Sequence, residues 1–468
     1  MVAARDPEAP AVMTAEGVWD TAELLAHAAG AADWLDSVGV PRGRSVPALV
    51  VTSLAATALL LGGAGSGRPL APVGPRLTTR ELAACLGQHD SPVVVAEEQY
   101  AEAAREATST TGQRVEVVPT FAPSRRVLGL DPSAEELALI MHTSGTSGVP
   151  KMVPVRQDRL AARVRNSVPL TGLGPGSVYA TMAPFEHIAG VGNVLNTLAT
   201  GATLAGAPRF TPEAWAGLGS FGVTHALLVP TMVEILLPLG LIELPTLRML
   251  QYGGSPIHPD TLATLFERLP GVSLVQVYGT TEGSPLAFLG PEDHRAAVSG
   301  APELLLSNGR AAPETEVRID EADAEGIGEV WARAPHVHRT EADGWLHTGD
   351  LGRIDERGYL FLVGRKGDRI VRGGENVDPV EVEQVLVQHP SVAEAAVVGV
   401  PDRRMGEVVV AYVVGSDGAG PPFAEELRRF ARESLAGFKV PQRVVVVDEL
   451  PKTASGKVLR RRLREAQE

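Results

Sequence analysis

The chain reads as an α/β protein: a large N-terminal domain of layered α/β subdomains with a small β-rich subdomain, followed by a small α+β domain. Three observations predict this. Short apolar strands alternate with helical patterns through most of the chain, which is the signature of α/β layers. From about Glu314 the pattern changes to short strands and turns. After Lys366 it changes again, to a mixed segment of about 100 residues, a usual domain size. A chain of 468 residues is also long for one core, so two or three domains are expected.

Within residues 17–127 the periodicity predicts a helix around Thr21–Val38 and a strand at Pro92–Ala96. The stretch from Val46 to Gly63 is the most apolar. Pro47, Thr52 and Ser53 interrupt it, Arg68 and Pro69 soon follow, and no basic flank would orient a membrane span. It is expected to be a buried strand, Ala48–Val51, followed by a buried helix. Strand Leu137–His142 leads into a Gly/Ser loop, then to Met152–Val155 and a helix. Further strands are expected at Val178–Met182, His225–Val229, Leu247–Tyr252 and Val272–Tyr278. The short-strand region supplies Glu316–Ile319, Gly328–Ala332 and Tyr359–Val363. Beyond Lys366, Glu381–Gln388 is predicted helical, and Ala393–Val400 and Val408–Val414 are predicted strands. Phe423–Leu435 is an amphipathic helix, with Phe423, Leu427, Phe430 and Leu435 at roughly helical spacing. Strand Arg443–Asp448 follows.

The hydrophobic fraction of 44% and the charged fraction of 21% are globular. A net charge of −14 argues against a general nucleic-acid binder and suits a soluble protein. The basic run from Lys457 to Arg464 is local, and taken alone it is a solvated helix face. The single cysteine, Cys85, excludes an intramolecular disulfide and fits a reducing cytoplasm; its apolar helical context places it in the core. The N-terminus lacks a basic region followed by an apolar run, so no targeting signal is expected. Five lysines stand against thirty-seven arginines: Lys151, Lys366, Lys439, Lys452 and Lys457. Lysine is a compact point charge and arginine a planar fork. Lysines that survive in so Arg-rich a chain, in or beside Gly-bearing segments, point to neutralisation of charge on phosphate or carboxylate oxygen.

The segment His142-Thr-Ser-Gly-Thr-Ser-Gly-Val-Pro-Lys151 follows a strand. Its small residues free backbone N–H groups to wrap phosphate oxygens. Thr143, Ser144, Thr146 and Ser147 add hydroxyl donors, and Lys151 can reach a terminal phosphate. The Gly-Lys-Ser/Thr ending of a Walker A loop is absent. Most Ser/Thr/Gly runs are flexible turns; the length, the preceding strand and the closing Pro-Lys set this one apart.

On this loop the chain resembles the adenylate-forming superfamily, which contains acyl-CoA synthetases, adenylation domains of peptide synthetases and luciferases. The family loop reads Thr-Ser-Gly-Thr-Ser/Thr-Gly-x-Pro-Lys-Gly. Residues 143–151, with Gly145 and Gly148, match it, and Met152 stands where Gly is usual. The resemblance continues in order along nearly the whole chain. Pro184-Phe-Glu-His187-Ile-Ala-Gly190 is similar to Pro-x-Phe-His-x-x-Gly, with Glu186 where Phe is common, and implies His187 at the mouth of an acyl pocket. Gly253-Gly254-Ser255-Pro256 is similar to the turn that lies against adenine. Tyr278-Gly279-Thr280-Thr281-Glu282 matches Tyr-Gly-x-Thr-Glu. The match implies that Tyr278 stacks on adenine, Thr281 meets the α-phosphate and Glu282 helps hold Mg²⁺. Trp345-Leu-His-Thr-Gly-Asp350 resembles the segment whose Asp binds the ribose hydroxyls. Gly364-Arg365-Lys366-Gly367-Asp368 resembles the family hinge, with Arg365 on the ribose side and Gly367 at a pivot usually held by Asp or Lys. Arg372-Gly373-Gly374-Glu375-Asn376 resembles the turn beside the pantetheine tunnel, although Asp378 replaces a usual aromatic residue. Pro451-Lys-Thr-Ala-Ser-Gly-Lys457 resembles the loop that carries the catalytic lysine of adenylation.

The resemblance implies a large AMP-binding domain, residues 1–366, and a mobile lid, residues 367–468, that carries Lys457. It implies ATP, Mg²⁺ and coenzyme A as co-substrate. The activity implied is ATP-dependent conversion of a small carboxylic acid to an acyl-adenylate, then transfer to a thiol. The same motifs are compatible with a carrier-protein thiol or an amine as acceptor, and with a non-catalytic nucleotide-binding protein, although Lys457, Glu282 and Asp350 are all present. Residues near 184–196, 225–233, 252–256 and 278–286 are expected to line the acyl pocket, with His187, Asn193, Met232 and Ser284 among them. No Arg stands obviously in reach there to demand a dicarboxylate.

Overall fold

The computed structural model describes residues 6–131, 133–143, 151–255, 257, 259–338, 340–372, 375–416, 424–452 and 456–466, without the side chains of residues 259, 375 and 376. The chain divides into two compact units, Met1–Glu316 with Ala332–Leu346, and Val317–Trp331 with His347–Glu468. This is a division by packing. The pivot expected at Gly367 concerns motion, a different property.

The first unit holds two sheets. In the six-stranded sheet the order is Arg114–Val117, Val93–Ala96, Val46–Leu49, Leu70–Pro72, Leu137–Thr143 and Lys151–Arg156. All neighbours are parallel except the last pair, which is antiparallel. The nine-stranded sheet runs Arg310–Ala311, Ala287–Leu289, Ser273–Tyr278, Met249–Gly253, His225–Leu228, Val178–Thr181, Thr203–Gly206, Pro10–Thr14 and Gly17–Asp20. Its middle is parallel and its margins are antiparallel. Parallel strands bury both faces, so they read as continuous apolar runs rather than alternating ones. The four residues of His225–Leu228 are all buried, as are those of Val93–Ala96.

Local chemistry sets the helix ends. Asp20 caps the Thr21–Ser37 helix, and Glu23 returns a bond to the Asp20 N–H, completing a capping box. Ser53 caps Leu54–Gly65 by accepting from the Ala56 N–H at 3.0 Å. That helix is apolar all round and lies inside the core with Leu24, Leu35 and Phe185. Among the described residues no helix is long and apolar enough to cross a membrane. Cys85 is buried, as expected.

The expected strands are present, with ends shifted by a residue or two. The hairpin Pro10–Thr14 and Gly17–Asp20 was not anticipated. Its first strand pairs with Thr203–Gly206, with Val12 opposite Leu204. No local pattern announces a partner so distant in sequence.

In the second unit, Glu375–Val377, Ile370–Arg372, Gly406–Gly415 and Val392–Asp402 form a sheet, and Arg443–Val446 adds to Gly406–Gly415 in parallel. Helices Pro379–Leu386 and Ala424–Ser434 place Val382, Leu386, Leu427 and Ala431 in one core. Helix Arg460–Glu465 belongs to a second core, where the Tyr412 hydroxyl donates to the Leu463 carbonyl at 2.8 Å. The basic run is therefore more than a solvated face. Arg460 binds both oxygens of half-buried Glu383 at 2.8 Å, and Arg464 binds Asp368 at 2.9 Å.

Two histidines, buried His89 and half-buried His142, join segments of the first unit as neutral rings. Ser45 O–H donates to His89 Nδ1 (2.8 Å), His89 Nε2–H to His142 Nε2 (2.9 Å), and His142 Nδ1–H to the Pro72 carbonyl (3.3 Å). This chain has one proton per contact, so a second proton on His142 sets two N–H groups face to face, and one on His89 forces the Ser45 hydroxyl to turn and accept. Burial, reinforced by His142, lowers the His89 pKa to about 4. His336, fully buried on the Pro285 carbonyl, is lowered to about 4 mainly by the same desolvation. Both values lie below the ordinary 6.5, so the unfolded chain takes up protons first as pH falls. Stability is expected to be full above pH 6.5 and to decline towards pH 4, by about 3 kcal/mol per ring. Melting temperatures measured across that range check this; a flat profile to pH 4.5 would contradict it.

Candidate functional site

Four neighbouring strands of the nine-stranded sheet, Val178–Thr181, His225–Leu228, Met249–Gly253 and Ser273–Tyr278, run parallel. Their C-terminal ends therefore open on one edge, where α/β sheets bind ligands. His187 follows the first, Met232 the second, Gly254 and Ser255 the third, and Gly279 to Ser284 the fourth. Parallel pairing thus gathers residues from His187 to Ser284. Asn193 sits on the Val191–Thr200 helix that follows His187.

The glycines here have separate physical reasons. A Cβ on Gly253 would lie 2.3 Å from the Val277 carbonyl oxygen, so strand contact requires glycine there. Gly254 has φ +86°, which favours glycine in its own right. Buried Tyr278 ends its strand. Beyond it Thr280 N–H donates to the Gly283 carbonyl at 3.0 Å, and Gly283 N–H donates to Thr280 Oγ1 at 3.2 Å. This closes a tight turn with Thr281 and Glu282 at its tip. His338 N–H braces the Glu282 carbonyl at 2.7 Å.

Thr143 and Lys151 face each other as partners in the antiparallel pair Leu137–Thr143 and Lys151–Arg156, and Thr143 Oγ1 donates to the Lys151 carbonyl at 3.5 Å. The hairpin is anchored behind by the His89–His142 chain. Ser144, Gly145, Thr146, Ser147 and Gly148 lie outside the described residues, as do Pro256, Gly373 and Gly374. Met152 is opposite His142 and exposed, so its side chain needs no room inside the sheet.

The acyl-side residues show what the sequence reading missed. Phe185 is in the core, while Glu186 lies against Gly74, its pKa raised by burial. The aromatic position of the motif has moved by one residue. Met232 belongs to the core with Leu228 and Leu250. Asn193 and Ser284 meet at a residue that was not anticipated, Arg163 on the Gln157–Thr171 helix. Its Nε donates to the Ser284 carbonyl at 2.8 Å and its Nη2 to Asn193 Oδ1 at 3.2 Å. An Arg in mid-helix carries no sequence signal that it will turn inward.

In the second unit, Asp350 and Arg365 are partners in the strands Leu346–Ile354 and Leu360–Arg365, and Arg365 Nε donates to Asp350 Oδ1 at 2.7 Å. Lys457 lies near both. Desolvation lowers its pKa below the ordinary lysine value, Arg365 adds to this, and Asp350 opposes it. Part of the residue is still exposed, so this is a local effect at the ammonium. Its mounting is firm: Leu459 N–H donates to the Pro451 carbonyl at 2.7 Å, and Lys452 bridges Val458 across the loop. The pairs Arg460–Glu383 and Arg464–Asp368 fasten this tail to the segment after Gly367. Asp378, where an aromatic residue is usual, is buried against Arg369 at 2.9 Å; it precedes the helix beginning at Pro379, but its side chain gives no capping bond. Three other lysines hold carboxylates: Lys366 with Glu329, Lys439 with Glu381 and Lys452 with Glu394.

Among the described residues no cluster of three or more His, Cys, Asp or Glu could hold a metal alone. Glu282 at the turn tip fits a Mg²⁺ that arrives with phosphate, since that ion takes one or two carboxylates plus phosphate oxygens.

Residues 1–340 match the AMP-binding enzyme family and residues 381–457 its C-terminal domain. A fatty acid–[acyl-carrier-protein] ligase, ScoC, of Streptomyces coeruleorubidus is 32% identical over 99% of this chain and 94% of its own. A further group of relatives, 32–37% identical, consists of CoA ligases. Among solved structures, the amide bond synthetase McbA from Marinactinospora thermotolerans aligns with TM-score 0.86 and 32% identity, covering 98% of this chain and 96% of that one. The o-succinylbenzoate coenzyme A synthetase of Bacillus subtilis, solved with ATP and magnesium, aligns with TM-score 0.87 and 27% identity, over 99% and 98%.

The Lys457 environment is testable without a substrate. A depressed pKa leaves more neutral amine at a given pH, whereas Glu329 raises that of Lys366. At pH 9 an amine-acylating reagent is expected to label Lys457 several-fold faster than Lys366, read by peptide mass spectrometry. Asp350→Asn should widen the gap, because the carboxylate is what favours the charged ammonium.

Proposed function

The chain belongs to the AMP-binding enzyme family, and from that premise we propose that it is an acid–thiol ligase. It activates a carboxylic acid with ATP as an acyl-adenylate and then passes the acyl group to coenzyme A. The observation that carries this is the row of parallel strand ends that gathers His187, Gly254, Tyr278 and the Thr280–Gly283 turn on one edge. The CoA-ligase relatives support the acceptor. We place the reaction in the cytoplasm, with which a free, buried Cys85 is compatible.

In this reading the adenine lies against Gly253, Gly254 and Ser255 and stacks on Tyr278. The ribose diol bonds Asp350, with Arg365 beside it. Thr143, the 144–148 segment and Lys151 hold the outer phosphates. The acid's carboxylate oxygen attacks the α-phosphorus, forming the acyl–phosphate bond and expelling pyrophosphate. Thr281 and the Lys457 ammonium neutralise charge on the oxygens that change bonding, which is where an enzyme gains most in such a step. Glu282 would hold Mg²⁺, which would supply charge neutralisation on phosphate. The thiolate of CoA then attacks the acyl carbonyl and AMP leaves.

Residues 367–468 act as the lid, pivoting at Gly367. Glycine accepts large dihedral changes, and a Cβ there would meet nothing within 4 Å. The ion pairs from Arg460 and Arg464 carry Lys457 with the lid as one body. After adenylation the lid withdraws Lys457 and presents the 372–376 turn, with Gly373 and Gly374, to the thiol.

A second acceptor has its own support. A relative that matches 99% of the chain is a carrier-protein ligase, and an amide bond synthetase aligns over 98%. Product analysis with CoA, a carrier protein and amines separates the three.

Lys457→Ala is expected to lower ATP–pyrophosphate exchange by about 10²-fold or more, as loss of a charge-stabilising donor does. It should spare thioester formation from supplied acyl-AMP. Equal loss of both steps would refute the division of labour. Exchange with no acid in a broad panel would refute the activity itself.

A further inference from the structure

Arg163 is the least expected charge in the first unit. It is 4% exposed. Its Nε and Nη2 bond two neutral oxygens, the Ser284 carbonyl and Asn193 Oδ1. Its Nη1 is buried and has no hydrogen-bond partner among the described residues. None of the described carboxylates pairs with it. Desolvation lowers its pKa only to about 10, so it stays charged at neutral pH. Nearby His336 and His338 are held neutral and so add no second positive charge.

A buried cation without an anion is costly, and such charges are ordinarily paired. The chain nonetheless makes room for this one. A Cβ on Gly192 would lie 2.6 Å from Arg163 Nη1, 3.0 Å from its Cζ and 3.0 Å from Ile188 Cδ1. The space a side chain would take at 192 is thus given to the guanidinium. Gly192 and Asn193 open the Val191–Thr200 helix, and Ser284 ends the turn after Tyr278. Those two segments flank the place of the acyl group in the activity proposed above, on which this inference rests.

We propose that Arg163 is a specificity-determining residue that binds a second carboxylate on the acid, so that the preferred substrate is a dicarboxylic acid activated at its far end. The unpartnered Nη1 lies against Gly192, beside Ile188. An anionic oxygen there satisfies the donor and cancels the charge together, whereas a keto or hydroxyl oxygen does only the first. Asn193, whose amide is already bonded to the guanidinium, orients the fork. The reacting carboxylate is distinct from the one held by Arg163, and no bond forms or breaks at the latter.

The test is ATP–pyrophosphate exchange by the full-length protein with acids matched in length, with and without a terminal carboxylate. One diacid is expected to exceed its monoacid partner in kcat/KM by roughly 10- to 100-fold, the range of a hydrogen bond to a charged group. Arg163→Met should abolish that preference by raising KM for the diacid while monoacid turnover is kept, and Arg163→Lys should restore part of it. Gly192→Ala, which crowds Nη1, should shift preference the same way as Arg163→Met and serves if that variant fails to fold. Exchange with monoacids that no diacid surpasses overturns the inference and leaves the activity standing. An equal fall for both acids in Arg163→Met and Gly192→Ala overturns it as well, marking a structural cation. Silence with every acid overturns the activity first, and the inference with it.

Discussion

The structure depends on one constraint: neighbouring parallel strands end on the same side. Antiparallel neighbours alternate their ends, so loops from successive strands are split between two edges. Parallel pairing from Val178–Thr181 across to Ser273–Tyr278 instead stacks four loop starts side by side. Residues about a hundred positions apart become neighbours without any direct bond between them. The helices between strands are the covalent cost of this arrangement. Their apolar faces in turn fill the cores around Trp215, Tyr252 and Leu228. The site and the core are thus two consequences of one pairing rule.

Charge is managed differently on the two units. In the second unit almost every buried or half-buried cation has a carboxylate: Arg369 has Asp378, Arg460 has Glu383, Lys439 has Glu381. These pairs fix the geometry of a small domain whose hydrophobic core is modest. Truncating one partner would strand the other, so such pairs specify an arrangement more than they stabilise it. Lys457 sits near Asp350 with Arg365 also close, a mixed environment in which the ammonium is easier to discharge than in an ordinary ion pair. In the first unit Arg163 is the exception, buried among neutral acceptors.

Much of this was legible in the chain. The strands Val178–Thr181, His225–Leu228, Met249–Gly253 and Ser273–Tyr278 followed from apolar runs, since a strand buried on both faces has no other composition available, whereas Thr203–Gly206 and Leu346–Ile354 did not. The Thr143–Lys151 segment, the Tyr278–Glu282 turn and the Lys457 loop stand out because each combines small residues and a particular donor at fixed spacing; their roles at the nucleotide are those proposed above. The N-terminal hairpin was not, because Pro10–Thr14 owes its place to Thr203–Gly206. The lysine count was informative only in part. Lys366, Lys439 and Lys452 hold ordinary ion pairs, a role for which composition offers no sign. Arg163 was invisible for the same reason. Its burial is decided by Gly192 and Asn193 on another helix, and sequence periodicity describes only the helix that carries the residue.

The departures from the family motifs share a pattern. Where the side chain differs, the surrounding structure has absorbed the change locally. Glu186 takes the place of an aromatic residue, and Phe185 supplies the buried ring from the adjacent position. Asp378 replaces another aromatic residue and is tied to Arg369 at 2.9 Å. Gly367 stands where the family carries Asp or Lys, and a Cβ there would meet nothing within 4 Å. In the lid motion proposed above, an ion-paired segment that follows a glycine would concentrate bending at that glycine, because glycine absorbs dihedral change and the paired residues resist it.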